Sequence, residues 1–216
     1  LMSSHHVVRD EQEPAILIDD PFALQLEFVE LLLEWSPTVI VTANALDEVL
    51  HWGIKVDVVL ARADQVEEIK PRLQDQQPID LYAFETNDLL NAGFIFLLDM
   101  GRKAVNVLAD IFQTQVLDQI RELSKEMDVV LFYNNQKWIY AHRGYYQKWV
   151  RSGHVFGIHP IVENTFIKTQ GFYTEKADEP LIEPDELVAE SSGKVTIQTN
   201  QKPFWLIEEV ETDTYK

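Results

Sequence analysis

The sequence predicts an α/β domain, a parallel sheet flanked by helices, followed by a small all-β sandwich domain. Three observations lead there. Short apolar, β-branched runs alternate with helix-period patterns through residues 1–127. From Asp128 to the end (128–216) the alternation stops, and short β-rich runs separated by Gly, Pro, Ser or Asn take over. Finally, 46% hydrophobic and 11% aromatic residues supply real cores, which a disordered acidic chain lacks.

In order, Ala15–Asp19 suits a buried strand, and Asp20-Pro21 gives an N-cap with proline at the first helical position. Phe22, Leu26, Val29, Leu32 and Leu33 follow at helical spacing. Thr38–Thr42 is the second strand; Asn44 reads as the cap of a helix over Ala45–Trp52, stopped by Gly53. Val56–Ala61 is the third strand. Asp64 with Glu67 resembles a capping box opening a helix over Gln65–Leu73. Asp80–Phe84, Asn87–Leu98, Ala104–Leu108 and Thr114–Met127 continue as strand, helix, strand, helix. Strands and helices in that alternation point to a parallel sheet covered on both faces. Val129–Tyr133 and Lys137–His142 then flank the turn-forming Asn134-Asn135-Gln136 as a hairpin. Val155–Ile161, Asn164–Thr169, Gly193–Thr199 and Phe204–Glu208 are further strands. The acidic, proline-bearing stretch Lys176–Glu190 reads as a surface loop.

The 216 residues carry 18 basic and 36 acidic side chains, a formal charge of −18. That balance argues against sequence-independent nucleic-acid binding, which needs basic surface, and against an anionic membrane surface. A phosphate-bearing ligand must then be held locally, by a few cations, backbone amides or Mg²⁺ bridging carboxylates to phosphates. With no cysteine, thiolate chemistry and disulfides are absent. No apolar run reaches the ~18 residues of a membrane span, and no signal region is visible at the start, so the expectation is a soluble, cytoplasmic protein.

In open parallel sheets, ligands collect at the carboxyl ends of the strands. Three turns qualify: Thr42-Ala43-Asn44-Ala45, Ala61-Arg62-Ala63-Asp64-Gln65, and Glu85-Thr86-Asn87-Asp88. Their carboxylates suit Mg²⁺, and the helix amides behind them suit phosphate oxygens. The same residues, Asp64 and Asn87 above all, also read as plain helix caps. His154 and His159 are five apart in a strand-like stretch and so point to opposite faces, a poor basis for a metal site; His5 and His6 lie near the start. Trp138, Trp149, Tyr140, Tyr145 and Tyr146 are dense enough for a dimer contact or a stacking surface. No serine-hydrolase elbow, Walker loop or dinucleotide fingerprint occurs.

The order of segments resembles the thiamine pyrophosphokinase family. Gly53–Gln65 is similar to that family's strand running into Gly-Asp-Phe-Asp-Ser, and Glu85-Thr86-Asn87-Asp88-Leu89 to its Asp-x-Thr-Asp-Leu helix start. Gly153–Ile161 resembles the sandwich strand ending in an apolar-Pro pair. Thr169-Gln170-Gly171-Phe172-Tyr173 resembles its Thr-x-Gly-Leu-x-Tyr turn with the tyrosine one place early, and Ser191-Ser192 with Gly193–Glu208 its closing hairpin. The resemblance implies pyrophosphoryl transfer from ATP to thiamine, Mg²⁺, and a homodimer with sites between subunits. Carried over residue by residue, it implies Asp64 and Asp88 as catalytic residues and Asp64, Glu85 and Asp88 as metal ligands. Asn44, Arg62, Gln65 and Asn87 would contact the nucleotide, and Ser191 and Ser192 the thiamine.

The chain also departs from that pattern. Thr42-Ala43-Asn44-Ala45 stands where the family has Asp-Gly-Gly-Ala, losing the close phosphate approach that glycine permits. Arg62 replaces the first aspartate of Gly-Asp-Phe-Asp-Ser and Gln65 its serine. The Gly-Gly-Arg-x-Asp-His segment would fall at Ala109–Leu117, which reads ADIFQTQVL. Two readings follow: a divergent working kinase, or a non-catalytic paralogue binding thiamine or a nucleotide as a sensor or accessory dimer.

Overall fold

The structure, a computed structural model, describes residues 13–112 and 115–210. It divides into two compact units, one ending at Asn134 and the other starting at Asn135. His5, His6 and Thr114 lie outside the described residues.

In the first unit the strands are β1 (Ala15–Ile18), β2 (Val39–Thr42), β3 (Val58–Arg62), β4 (Asp80–Phe84), β5 (Ala104–Leu108) and β6 (Asp128–Tyr133). They pair in parallel in the order β6-β5-β1-β2-β3-β4. β1 and β2 are buried at every position, as strands covered on both faces must be, which is why they read as continuous apolar runs. The helices are α1 (Leu26–Leu33), α2 (Leu46–His51), α3 (Val66–Ile69), α4 (Leu89–Asp99) and α5 (Val116–Leu123). α4 lies so close to the sheet that a Cβ on Gly93 would come within 2.9 Å of Leu17 and 3.1 Å of Leu60. β6 was expected in the second domain; it pairs in register with β5, Ala104 opposite Asp128, and completes a β-α-β unit through α5.

The first three helix starts differ from expectation. Asp20 spends its carboxylate on the Phe22 N–H at 2.9 Å, forming a local turn, and α1 begins only after Gln25. Asn44 does not cap α2, whose N-terminal flank is Ala45. At the third start Gln65, not Glu67, makes the reciprocal bond, accepting from the Arg62 N–H at 3.1 Å. A short 3₁₀ turn (Ala63–Gln65), α3 and a second 3₁₀ stretch (Lys70–Gln76) stand where one helix was expected.

The second unit is a two-sheet sandwich. One sheet has the order β12-β9-β14-β7, from β7 (Gln136–Ala141), β9 (Val155–Pro160), β12 (Asp185–Val188) and β14 (Phe204–Glu209). The other runs β11-β10-β13-β8, from β8 (Tyr145–Val150), β10 (Phe166–Gln170), β11 (Ala177–Pro180) and β13 (Gly193–Thr199). Phe156, Phe172, Phe204, Leu206 and Ile197 form the shared core, with the Phe156 and Phe172 rings edge-on at 6.0 Å. Gly144, at φ +67°, is required in the β7–β8 turn: a Cβ there would sit 2.3 Å from the Thr199 hydroxyl. The Lys176–Glu190 stretch is not a loop but holds one edge strand of each sheet, β11 and β12, whose charged residues suit unpaired edges.

One charge cluster is built into this sandwich. Glu208 is 3% exposed and meets the Lys148 ammonium, His154 Nε2 at 3.0 Å and the Tyr146 hydroxyl at 3.1 Å. Burial alone would raise its pKa; the His154 hydrogen bond and the Lys148 and Lys137 charges overcome that and hold it down to about 2.

Candidate functional site

Strand order in the first unit fixes where a ligand crevice can form. Connections leave β1 toward β2 on one side and leave β5 toward β6 on the other, so the order reverses between β1 and β5. The carboxyl ends of β1 to β4 carry Asp19, Thr42, Arg62 and Phe84 with the turns that follow them.

Two groups of side chains assemble there. The first surrounds a small cavity of about 250 Å³ lined by Arg62, Ala63, Asp64, Phe84, Glu85 and Asn87. Arg62 and Asp64 form a fork-to-fork pair: Nε to Oδ1 at 2.9 Å and Nη2 to Oδ2 at 3.0 Å. The remaining guanidinium nitrogen, Nη1, donates to Asn87 Oδ1 at 3.5 Å. The Arg62 hydrogen bond holds the Asp64 carboxyl below its ordinary range. Asp64, expected as a cap, is thus an ion-pair partner, and Gln65 steadies the backbone at Arg62.

The second group is more buried. Asp19, 5% exposed, accepts from the Thr42 hydroxyl at 2.8 Å and is hydrogen-bonded by Asn44. Burial raises its pKa, the Thr42 and Asn44 bonds oppose that, and the charges of Asp20 and Asp88 add to it. Asp88, and not Asn87, caps α4: its Oδ1 accepts from the Asn91 N–H at 3.0 Å and its Oδ2 from Gln119 Nε2 at 2.6 Å. Thr86 Oγ1 accepts from the Asp88 N–H at 3.1 Å.

Of the residues expected at the metal and the nucleotide, Arg62, Asp64 and Glu85 line one cavity, while Asp88 turns to the helix and Gln119. Asn44 joins the Asp19 group, and Asn87 joins Arg62. Ser191 and Ser192 lie in the second unit, between β12 and β13, where Ser192 Oγ accepts from the Ser152 N–H at 3.0 Å. Asp19 escaped sequence reasoning because it reads as the last residue of a strand. The adjacent acid pair Asp19-Asp20 at the end of the first strand was the available signal.

The residues present do not fit a carboxylate-held Mg²⁺. Both Asp64 oxygens face a guanidinium, both Asp88 oxygens accept protein N–H groups, and among the described residues no three His, Cys, Asp or Glu side chains cluster as metal ligands.

The aromatic group expected as one surface divides because β7 and β8 belong to different sheets, and alternation along β8 then turns Tyr146 away from Tyr145 and Trp149. Trp138 and Tyr140 stack around Trp205, Tyr146 reaches the sandwich core, and Trp149 and Tyr145 are exposed on β8. His154, just before β9, turns to the core side against Phe156 and Glu208, while His159 packs on Trp138 on the opposite face, as their spacing predicts; both residues border one cavity.

The whole architecture matches solved structures. Thiamine pyrophosphokinase from Bacillus subtilis superposes with a TM-score of 0.69 over 92% of this chain and 99% of that one, at 13% identity. The Candida albicans enzyme gives 0.71 over 93% and 90%, at 9% identity, and the yeast enzyme 0.68 over 93% and 87%, at 10%. This chain has the thiamine pyrophosphokinase fold. At such identities the likeness is one of fold, α/β unit and sandwich together, as the order of segments led us to expect. No family model matches the sequence, and no curated protein does. Among the described residues no helix is long and apolar enough to cross a membrane.

Proposed function

We propose that this chain is a non-catalytic relative of the thiamine pyrophosphokinases that binds thiamine, a thiamine phosphate or a nucleotide as a sensor or accessory homodimer. The Arg62–Asp64 pair carries the reading. Where the resembled motif has two aspartates, this chain has a guanidinium held by the one that remains. Arg62 then offers a phosphate the charge that Mg²⁺ would otherwise bring, with Asn44, Gln65 and Asn87 as polar contacts and Ser191 and Ser192 toward thiamine. Phosphoryl transfer needs its developing charge neutralised by metal and several cations, which one arginine does not replace.

The test supplies ATP, thiamine and Mg²⁺ and follows AMP and thiamine diphosphate by chromatography. Turnover no higher than in an Asp64→Ala plus Asp88→Ala control is expected, with calorimetric binding of thiamine monophosphate or ATP unchanged by EDTA. Turnover that the double substitution abolishes would instead support the other reading. That reading is a divergent kinase with Asp64, Glu85 and Asp88 rearranged around Mg²⁺, and the near-complete coverage of the enzymes' fold favours it. Light scattering tests the homodimer.

A further inference from the structure

We propose that the face of the β12-β9-β14-β7 sheet turned away from the sandwich core carries a second ligand site, selective for an organic cation. Register puts its parts together. Trp138 pairs with Ile207, Ile207 with Gly157, and Trp205 with both Tyr140 and His159, so these side chains share one face. That face bounds a cavity of about 720 Å³, within the range of small-molecule sites.

The wall is aromatic and braced. Trp138 meets the His159 ring edge-on at 5.9 Å and the buried Trp205 at 6.1 Å, so the indole is held from behind while it lines the cavity. Gly157 keeps the floor low: a Cβ there would touch Ile207 Cβ at 3.4 Å. Among the described residues Trp138 Nε1 is also the one buried side-chain nitrogen or oxygen without a hydrogen-bond partner.

The charge is one-signed. Asp185, Glu186 and Glu209 line the cavity, and no lysine or arginine does. Lys176 pairs with Asp185 at 3.2 Å, and Glu209 accepts from Gln136 Nε2 at 2.7 Å, which leaves Glu186 exposed at the mouth. His154 is engaged by Glu208, and burial disfavours the charged form of His159. An anion meets only repulsion here, and a bare metal ion lacks a set of three ligands. A cation with an apolar shell, such as a quaternary ammonium, gains both the ring faces and the carboxylates. None of the residues carried over from the family resemblance lines this cavity, so the site stands or falls apart from the reading of the strand edge.

Choline and its neutral isostere 3,3-dimethylbutan-1-ol are the probes, titrated into the full chain while the five indole N–H resonances are followed by NMR; Trp138→Phe assigns the Trp138 signal. Choline is expected to shift the Trp138 resonance saturably. The isostere should bind at least about fivefold more weakly, the scale of an exposed cation–π contact. Glu186→Gln, an exposed change that leaves the fold intact, combined with Glu209→Gln, should weaken choline about three- to tenfold without moving the isostere. Equal binding of both probes overturns the proposal. So do indifference to the double substitution, shifts confined to Trp35 or Trp149, and no saturation by about 50 mM.

Discussion

Two carboxylates in this molecule meet cations in opposite circumstances. Asp64 holds Arg62 at 2.9 and 3.0 Å with its side chain 69% exposed. Glu208 holds Lys148, His154 and Tyr146 while only 3% exposed. The geometry is comparable, but the energetics are not. Water screens the first pair, so it contributes charge pattern and little stability. In the second, desolvation is offset only while every partner is present, and the sandwich depends on the set remaining complete. One unit thus keeps its ion pair where a ligand can reach it, and the other locks its charges away.

The largest break of that contrast is Glu208→Ala, which strands Lys148 and Lys137 against the core. A loss of about 3 kcal/mol is expected in urea unfolding followed by tryptophan fluorescence, near the low end for buried pairs because Lys148 is partly exposed. Replacing two members, Glu208→Leu with Lys148→Met, should recover part of the loss, since only Lys137 is then left without its carboxylate. A single substitution costing less than about 1 kcal/mol would put the cluster in the same class as a surface pair.

The same cluster sets an acid limit. Glu208 has its pKa lowered from an ordinary 4.5 to about 2, so its contribution is complete above pH 4.5 and drains away as pH falls toward 2. Melting temperature measured across that window should fall more steeply in the parent than in Glu208→Gln. Parallel curves would contradict the assignment.

Asp19 sharpens the comparison from between the two extremes, being buried yet without a cation. Its raised pKa has the opposite sign: protonation favours the fold, and that contribution is lost as pH rises from the ordinary 3.8 through the folded value. Thr42→Val removes the 2.8 Å bond and should cost about 1–3 kcal/mol at neutral pH. Asp19→Asn keeps an acceptor for Thr42 without the charge, and should match or exceed the parent in thermal stability. An Asp19→Asn protein less stable than Thr42→Val would show that the carboxylate charge itself is needed there.

Sequence alone reaches unevenly into this structure. The central strands were legible because β1 and β2 are buried on both faces, leaving Ala15–Ile18 wholly apolar and Val39–Thr42 with a polar residue only at its end. β11 and β12 were not, because edge strands carry the prolines and carboxylates of a loop. Helix starts failed where one polar side chain had several uses: Asp20 took the Phe22 N–H, and Asp64 took Arg62. The site was half legible. Arg62, Asp64, Glu85 and Asn87 follow from the turns after β3 and β4. Asp19 depends on which strands become neighbours, as does the Gln119 contact that claims Asp88, and neither is written in local spacing.

The smallest effect on stability is expected at the exposed pair itself, and there the contrast is most informative. Arg62→Ala and Asp64→Ala should each melt within about 2 °C of the parent. Their effects on ligand should have opposite signs. Arg62→Ala removes the cation at the cavity, so binding of thiamine monophosphate is expected to weaken about three- to tenfold. Asp64→Ala frees two guanidinium N–H groups that the carboxylate now occupies at 2.9 and 3.0 Å, so binding should hold or tighten. A purely structural pair predicts equal, small losses from both. Calorimetry on the two variants separates these outcomes: tightening in Asp64→Ala makes the aspartate a competitor that tunes Arg62, whereas equal weakening makes the pair a fixed part of the turn.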